Sequence, residues 1–233
     1  SSIAGSICGI GGGVIIKPVL DATGIMSVSA ISFLSGCTVL AMSVVSVYKN
    51  VRSKAAKLDL RIATGLAVGA AVGGVLGKTM FQSLKEAVGN EAVVGMTQAL
   101  VLIAVTLGTL IYTVYKQRIR TKTYTQIWLC VVICILLGVM SSFLGIGGGP
   151  INLVVLAYFF SMSTKEAALS SLYIIMFSQI TSLIQTCATG SIPKVSAAYL
   201  AAMVVGGILG GTLGSKVNKK ISEEGVNKLF IAL

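Results

Sequence analysis

Apolar runs and short polar interruptions alternate along the whole chain. The runs fall at about residues 1–20, 25–48, 62–82, 92–115, 126–160, 166–187, 195–215 and 226–233. Most approach the roughly 20 apolar residues that a helix needs to cross the hydrocarbon core of a bilayer. None shows the sustained apolar–polar alternation that spanning β-strands carry over about ten positions. The pattern predicts an all-α, polytopic protein whose main partner is the lipid bilayer. Composition agrees: 11% of residues are charged and the mean hydropathy is +0.94. A soluble domain places charge at roughly a quarter of its positions.

Two glycine blocks recur at nearly one offset. Gly9-Ile10-Gly11-Gly12-Gly13 returns 136 residues on as Gly145-Ile146-Gly147-Gly148-Gly149. Gly73-Gly74-Val75-Leu76-Gly77 returns 137 residues on as Gly210-Gly211-Thr212-Leu213-Gly214, and Lys57 and Lys194 share that second offset. Duplicated halves are a common plan of secondary transporters. The first repeat is 1–115, with a re-entrant segment at 1–20 and helices at 25–48, 62–82 and 92–115. A basic cytoplasmic linker follows at 116–125. The second repeat is 126–233, with a re-entrant segment at 126–160, helices at 166–187 and 195–215, and the start of a last helix at 226–233. In this register Leu233 matches Met96, and residues 126–145 have only a stub as counterpart. The register therefore predicts about eight helical segments, the first and last truncated.

Charge supplies the topology. The run 126–160 is too long for one pass, and Gly147-Gly148-Gly149-Pro150 interrupts it. Glycine and proline both disfavour a continuous helix. If every segment crosses, the two sides hold ten and seven basic residues; if both glycine segments are re-entrant, they hold fourteen and three, Lys17 lying within a segment in either case. The positive-inside rule favours the second arrangement. It leaves three crossings per half, an odd number, so the halves are inverted. Tyr124 and Trp128 flank the basic linker as interfacial aromatics do. The net charge of +11 is then a loop bias. No single face gathers it for phosphate contacts, so a nucleic-acid partner is not expected.

The two glycine turns carry the candidate chemistry. Backbone that turns inside a membrane must be buried by protein or line a wet cavity. Each turn precedes a short half-helix, about Val14–Leu20 and Ile151–Phe160, whose N-terminus offers N–H groups and a positive dipole end. Two such turns in inverted halves predict an anion site built from Gly11, Gly12 and Gly13 with Gly147, Gly148 and Gly149. The spacing lacks the third glycine of a dinucleotide fingerprint, and no Lys-Ser or Lys-Thr follows as in a phosphate loop. Polar residues on the next helices are candidate donors: Ser32, Ser35 and Thr38 in one half, Ser170, Ser171, Ser178, Gln179 and Ser182 in the other. Asn152 opens the second half-helix. Such hydroxyls also bond to their own backbone or to neighbouring helices. Lys17, inside a segment, either attracts the anion or snorkels outward to pair with Asp21.

Other residues narrow the function. The seven acids fall at segment ends or in loops, which leaves no intramembrane carboxylate for protons or sodium. Ser163 and Glu166 spell a capping box. There is no histidine, which excludes Ser-His and Cys-His catalysis and any His-ligated metal site. Cys8, Cys37, Cys130, Cys134 and Cys187 form no CxxC pair and read as buried structural thiols. Gly65, Gly69, Gly73 and Gly77, and Gly206, Gly210 and Gly214, recur every four residues as small helix-packing faces.

The paired glycine turns, Lys165-Glu166-Ala167-Ala168-Leu169-Ser170 and the run Gly206–Gly214 together resemble the TauE/SafE sulfite-exporter family of membrane permeases. The likeness extends over essentially the whole chain and departs from the family pattern at Lys17 and Val154. It implies a secondary carrier, not an enzyme, with no bound cofactor. Its substrate would be a small sulfur-containing or organic anion such as sulfite or a sulfonate, moved across the cytoplasmic membrane. The site would lie at the two turns and the polar helices behind them, one repeat rocking against the other. The glycine faces also permit a homodimer. Two alternatives remain at this point: a membrane thiol oxidoreductase using Cys8 or the Cys130/Cys134 pair, and an assembly subunit that transports nothing.

Overall fold

A computed structural model describes residues 1–24, 26–52, 60–115, 121, 126–146 and 148–232. These residues form helices in the order α1 (Ser2–Cys8), α2 (Gly13–Thr23), α3 (Val28–Arg52), α4 (Leu60–Val88), α5 (Glu91–Tyr115), α6 (Ile127–Leu144), α7 (Gly149–Phe160), α8 (Thr164–Ala188), α9 (Ala197–Lys220) and α10 (Glu223–Ala232). No strand occurs among them. Among the described residues, α3, α5, α8 and α9 are long and apolar enough to cross a membrane. At a rise of about 1.5 Å per residue, the 29 residues of α4 also exceed a roughly 30 Å core. The 11 residues of α2 and the 12 of α7 cannot span it. The chain is a polytopic membrane protein whose helices break at both glycine blocks.

Local signals set the breaks. α1 and α6 end in left-handed caps at Gly9 and Gly145, whose amides turn back onto the carbonyls of Gly5 and Ser142. α8 opens with the expected capping box: Ser163 N–H donates to Glu166 Oε2 at 3.0 Å, and Glu166 N–H donates to Ser163 Oγ at 3.4 Å.

Contacts at the two ends of the molecule fix the path of the chain. At one end, Asn50, Lys165 and Asn218 share a cleft. There, too, Ser161 Oγ, just past α7, donates to Thr121 Oγ1 at 2.8 Å, so α6–α7 leaves the linker and returns to it. At the other end, Ser29, Lys85, Gly89 and the stretch Gly190 to Pro193 surround one cavity. A crossing α6–α7 would have put Asn50 and Lys165 at opposite ends. α1 runs the opposite way to α6: Asn218, at the first end, donates its side-chain amide to the Ile7 carbonyl. The halves are thus inverted, and equivalent residues make equivalent contacts. Gly9 lies against Ala168 and Gly145 against Ser32, both pairs related by the same 136-residue offset.

The most extensive helix–helix packing joins one half to the other: α4 with α6 and α8, α3 with α9 and α8, α1 with α9. Small faces make this possible. Gly69, Gly73 and Gly77 press onto α6, and Gly210 and Gly214 onto α1. Gly206 departs from the expected packing stripe, because nothing lies within 4 Å of where its side chain would start. α5 shows the lipid-facing pattern, with Val93, Met96, Leu100, Ile103, Leu107, Ile111 and Val114 exposed at three- and four-residue steps. Helix α4 runs on to Val88, so Lys78 and Lys85, which are two of the three basic residues on the poorer side of the charge count, belong to the helix and not to a loop.

A Gly73→Val side chain would collide with the Ile135 carbonyl, a backbone atom that cannot rotate away. Thermal unfolding in detergent should show a loss of about 1–3 kcal/mol. Gly206→Ala should gain up to about 1 kcal/mol from helix propensity alone. An unchanged melting temperature for Gly73→Val would contradict the α4–α6 contact.

Candidate functional site

The two glycine turns meet. A side chain on Gly13 would run into the carbonyl of Ile146, and Gly149 lies against Val14. The N-terminus of α2 is therefore buried directly on the backbone of the second turn. Gly11 and Gly12 complete the first turn, Gly12 beside Ser2. Gly148 has φ +93°, outside the regions open to other residues, and the Asn152 side chain folds over it. Gly147, also a candidate, lies outside the described residues.

Lys17 does not snorkel outward. It is 3% exposed, and its Nζ donates to the Leu144 carbonyl at 2.8 Å and to Gln98 Oε1. The Gln98 side-chain amide donates in turn to the Phe143 carbonyl. Leu144 is the last residue of α6, so the ammonium sits at the negative end of that helix dipole. The sequence offered Asp21 as partner because it stands one turn along the same helix. The carbonyl end of a helix from the other half is a partner that only the fold brings near.

The remaining candidates divide by hydrogen bonding. Three hydroxyls are used internally. Thr38 Oγ1 donates to the Leu34 carbonyl at 2.8 Å, Ser171 Oγ to the Gly9 carbonyl at 2.5 Å, and Ser178 Oγ pairs with Ser142 Oγ at 3.0 Å. Ser170 is buried beside them. The others have buried polar atoms with no protein partner: Ser32 Oγ, Ser35 Oγ, both amide atoms of Asn152, and Gln179 Nε2. Buried polar atoms are nearly always paired, so each orphan calls for a water, an ion or a ligand.

Ser32 and Gln179 share one slot with Gly36, Ser142, Gly145, Ser182 and Thr186. Lys78 and Phe81 close its outer side. Its volume of about 10 Å³ admits about one water and no larger ligand. Outside the same two residues opens a much larger vestibule of about 530 Å³. Lys78, Phe81 and Ser142 were not among the sequence candidates. The signal for Lys78 was its place inside the apolar run 62–82, one residue past the glycine block; the charge tally treated it as a loop residue. Cys8, Cys130 and Cys134 are wholly buried in the apolar core, and none of the five cysteines is in a disulfide.

A family model described as "Sulfite exporter TauE/SafE" matches residues 1–233. No curated protein and no solved structure matches the chain.

The Lys17–Gln98 contact is open to a double-mutant cycle. Lys17→Met and Gln98→Leu should each lower the unfolding free energy in detergent. Together they should lose less than the sum, with a coupling of roughly 1–2 kcal/mol. Strictly additive losses would mean that the two side chains do not meet.

Proposed function

The chain belongs to the sulfite exporter TauE/SafE family, and from that premise we propose that it is a secondary transporter for a small sulfur-containing or organic anion, such as sulfite or a sulfonate, in the cytoplasmic membrane. The observation that carries the proposal is the pairing of unpartnered donors with a cation around one slot. Ser32 Oγ and Gln179 Nε2 face a space that Lys78 closes. Hydroxyl, amide and ammonium groups all donate, and the oxygens of an oxyanion accept. Asn152 and Ser35 hold further unpartnered polar atoms near the two turns. The site therefore comprises the glycine turns, Ser32, Ser35, Asn152 and Gln179, while Thr38, Ser171 and Ser178 shape it through their internal bonds. Lys17 holds the end of α6 in place rather than meeting the anion.

Transport requires the closed slot to open to each side in turn. Rocking whole repeats would pull apart the α4–α6, α3–α9 and α4–α8 contacts, the most extensive among the described residues. α2, α5 and α7 are more lightly packed. The slot itself is lined from α3, α4, α6, Gly145 and α8, so opening it requires those walls to part locally while the rest of the interface between the halves stays closed. Apart from Gly206, the glycine faces are taken up by this internal packing, so a homodimer would use the exposed apolar face of α5 or α9.

Purified protein in proteoliposomes, tested with sulfite, sulfate, thiosulfate and a sulfonate with and without a proton gradient, should move at least one of them selectively. Gln179→Leu should cut that flux about tenfold, the loss of one hydrogen bond to a charged group. Because Nε2 has no protein partner, the same change should leave the melting temperature equal or higher. Full flux in Gln179→Leu, or flux and stability lost together, would remove Gln179 from the site.

A further inference from the structure

We propose that the vestibule beyond Lys78 is a second anion-binding station and that Lys78 passes the anion between it and the slot. This rests on the carrier reading above and adds an entry path to it. Lys78 and Phe81 line both spaces, so they form the wall between them. Lys78 lies ten residues before the end of α4, well within the helix, with its Nζ 5.2 Å from the centre of the Phe81 ring. A lysine at this depth in a lipid-facing position would snorkel along the helix surface. Lys78 turns instead into the protein, where the ring face holds the ammonium by a cation–π contact until a stronger, anionic partner arrives.

The charge distribution supports the same assignment. Lys17 aside, the sequence count of loop charges leaves this end three basic residues, Lys78, Lys85 and Lys194. Two of them line the vestibule, and Lys194 follows Pro193 at its rim. Lys85 is fixed there by donating to Ser29 Oγ at 2.8 Å. Glu86 is the one acid on the lining, so the cavity keeps a positive balance. The topology rule keeps lysines away from this end, and the few present converge on one concave space. Concave, low-dielectric walls concentrate the field of such charges and raise the local concentration of anions. The volume of about 530 Å³ accepts a hydrated oxyanion, which the 10 Å³ slot does not.

The test has two readouts. Ile192, an exposed residue on the lining, becomes a reporter as Ile192→Cys in a Cys187→Ser background. In nanodiscs of zwitterionic lipid, a sulfonate-bearing thiol reagent should label it severalfold faster than the matched cationic reagent. Millimolar methanesulfonate should slow that labelling, and Lys78→Gln should erase both effects. In oriented proteoliposomes, Lys78→Gln should raise the KM about tenfold for anion offered from the vestibule side only, with Lys78→Arg restoring it. Equal labelling by the two reagents, or a KM raised equally from both sides, overturns the proposal. Protection by added anionic lipid but not by methanesulfonate assigns the cavity to a lipid headgroup and overturns it as well. Labelling does not depend on flux, so a wild-type protein that moves no anion fails the carrier reading separately.

Discussion

Everything in this structure follows from burying two backbone turns inside a membrane. A chain that reverses in hydrocarbon leaves N–H and C=O groups that lipid cannot satisfy. Here each turn is the other's shelter: the start of α2 sits on the Ile146 carbonyl, and Gly149 sits on Val14. That contact demands glycine at the touching points. It also demands that the two halves run in opposite directions, so that one turn descends as the other rises. The carbonyl end of α6, released by the break, is then closed by Lys17 and Gln98 from the first half. A charge buried in a bilayer, costly alone, is retained because a helix dipole and an amide meet it.

The polar residues around the turns form two populations with different tasks. Thr38, Ser171 and Ser178 spend their hydrogen bonds on nearby backbone or on a neighbouring hydroxyl, which fixes helix positions. Ser32, Ser35, Asn152 and Gln179 do not. The inverted repeat sharpens the contrast. Ser171 bonds to the Gly9 carbonyl, while Ser35, its equivalent 136 residues earlier, has no partner. The two halves share a framework but are not chemically equal, and the unsatisfied donors lie chiefly where the second turn meets α3 and α8.

Much of the fold was legible in the sequence because its signals are long or repeated. Apolar runs report spans, a duplicated pentapeptide reports the breaks, and loop lysines report which segments return to the end they left. Those features need no knowledge of which helix touches which. The site was legible only as a set of candidates. Hydroxyls that bond to their own helix and hydroxyls that face a cavity occupy the same kinds of position. Only the packing of α3 against α8 separates Thr38 from Ser32. The hydrogen-bond partner of Lys17 was illegible for the same reason: the nearest candidate along the chain was Asp21, and the carbonyl it meets is 127 residues away. Lys78 escaped notice because α4 continues past its apolar run, and a lysine near a segment end reads as interfacial.

The exchange of partners between halves, α4 onto α6 and α9 onto α1, bears on how such a chain could arise. One half alone would leave the glycine face of α4 bare and its own turn open to lipid. The smallest unit that hides both is a pair of halves in opposite orientations. Held in one chain, the two copies need not stay alike, and the serines at 35 and 171 differ in what they bond.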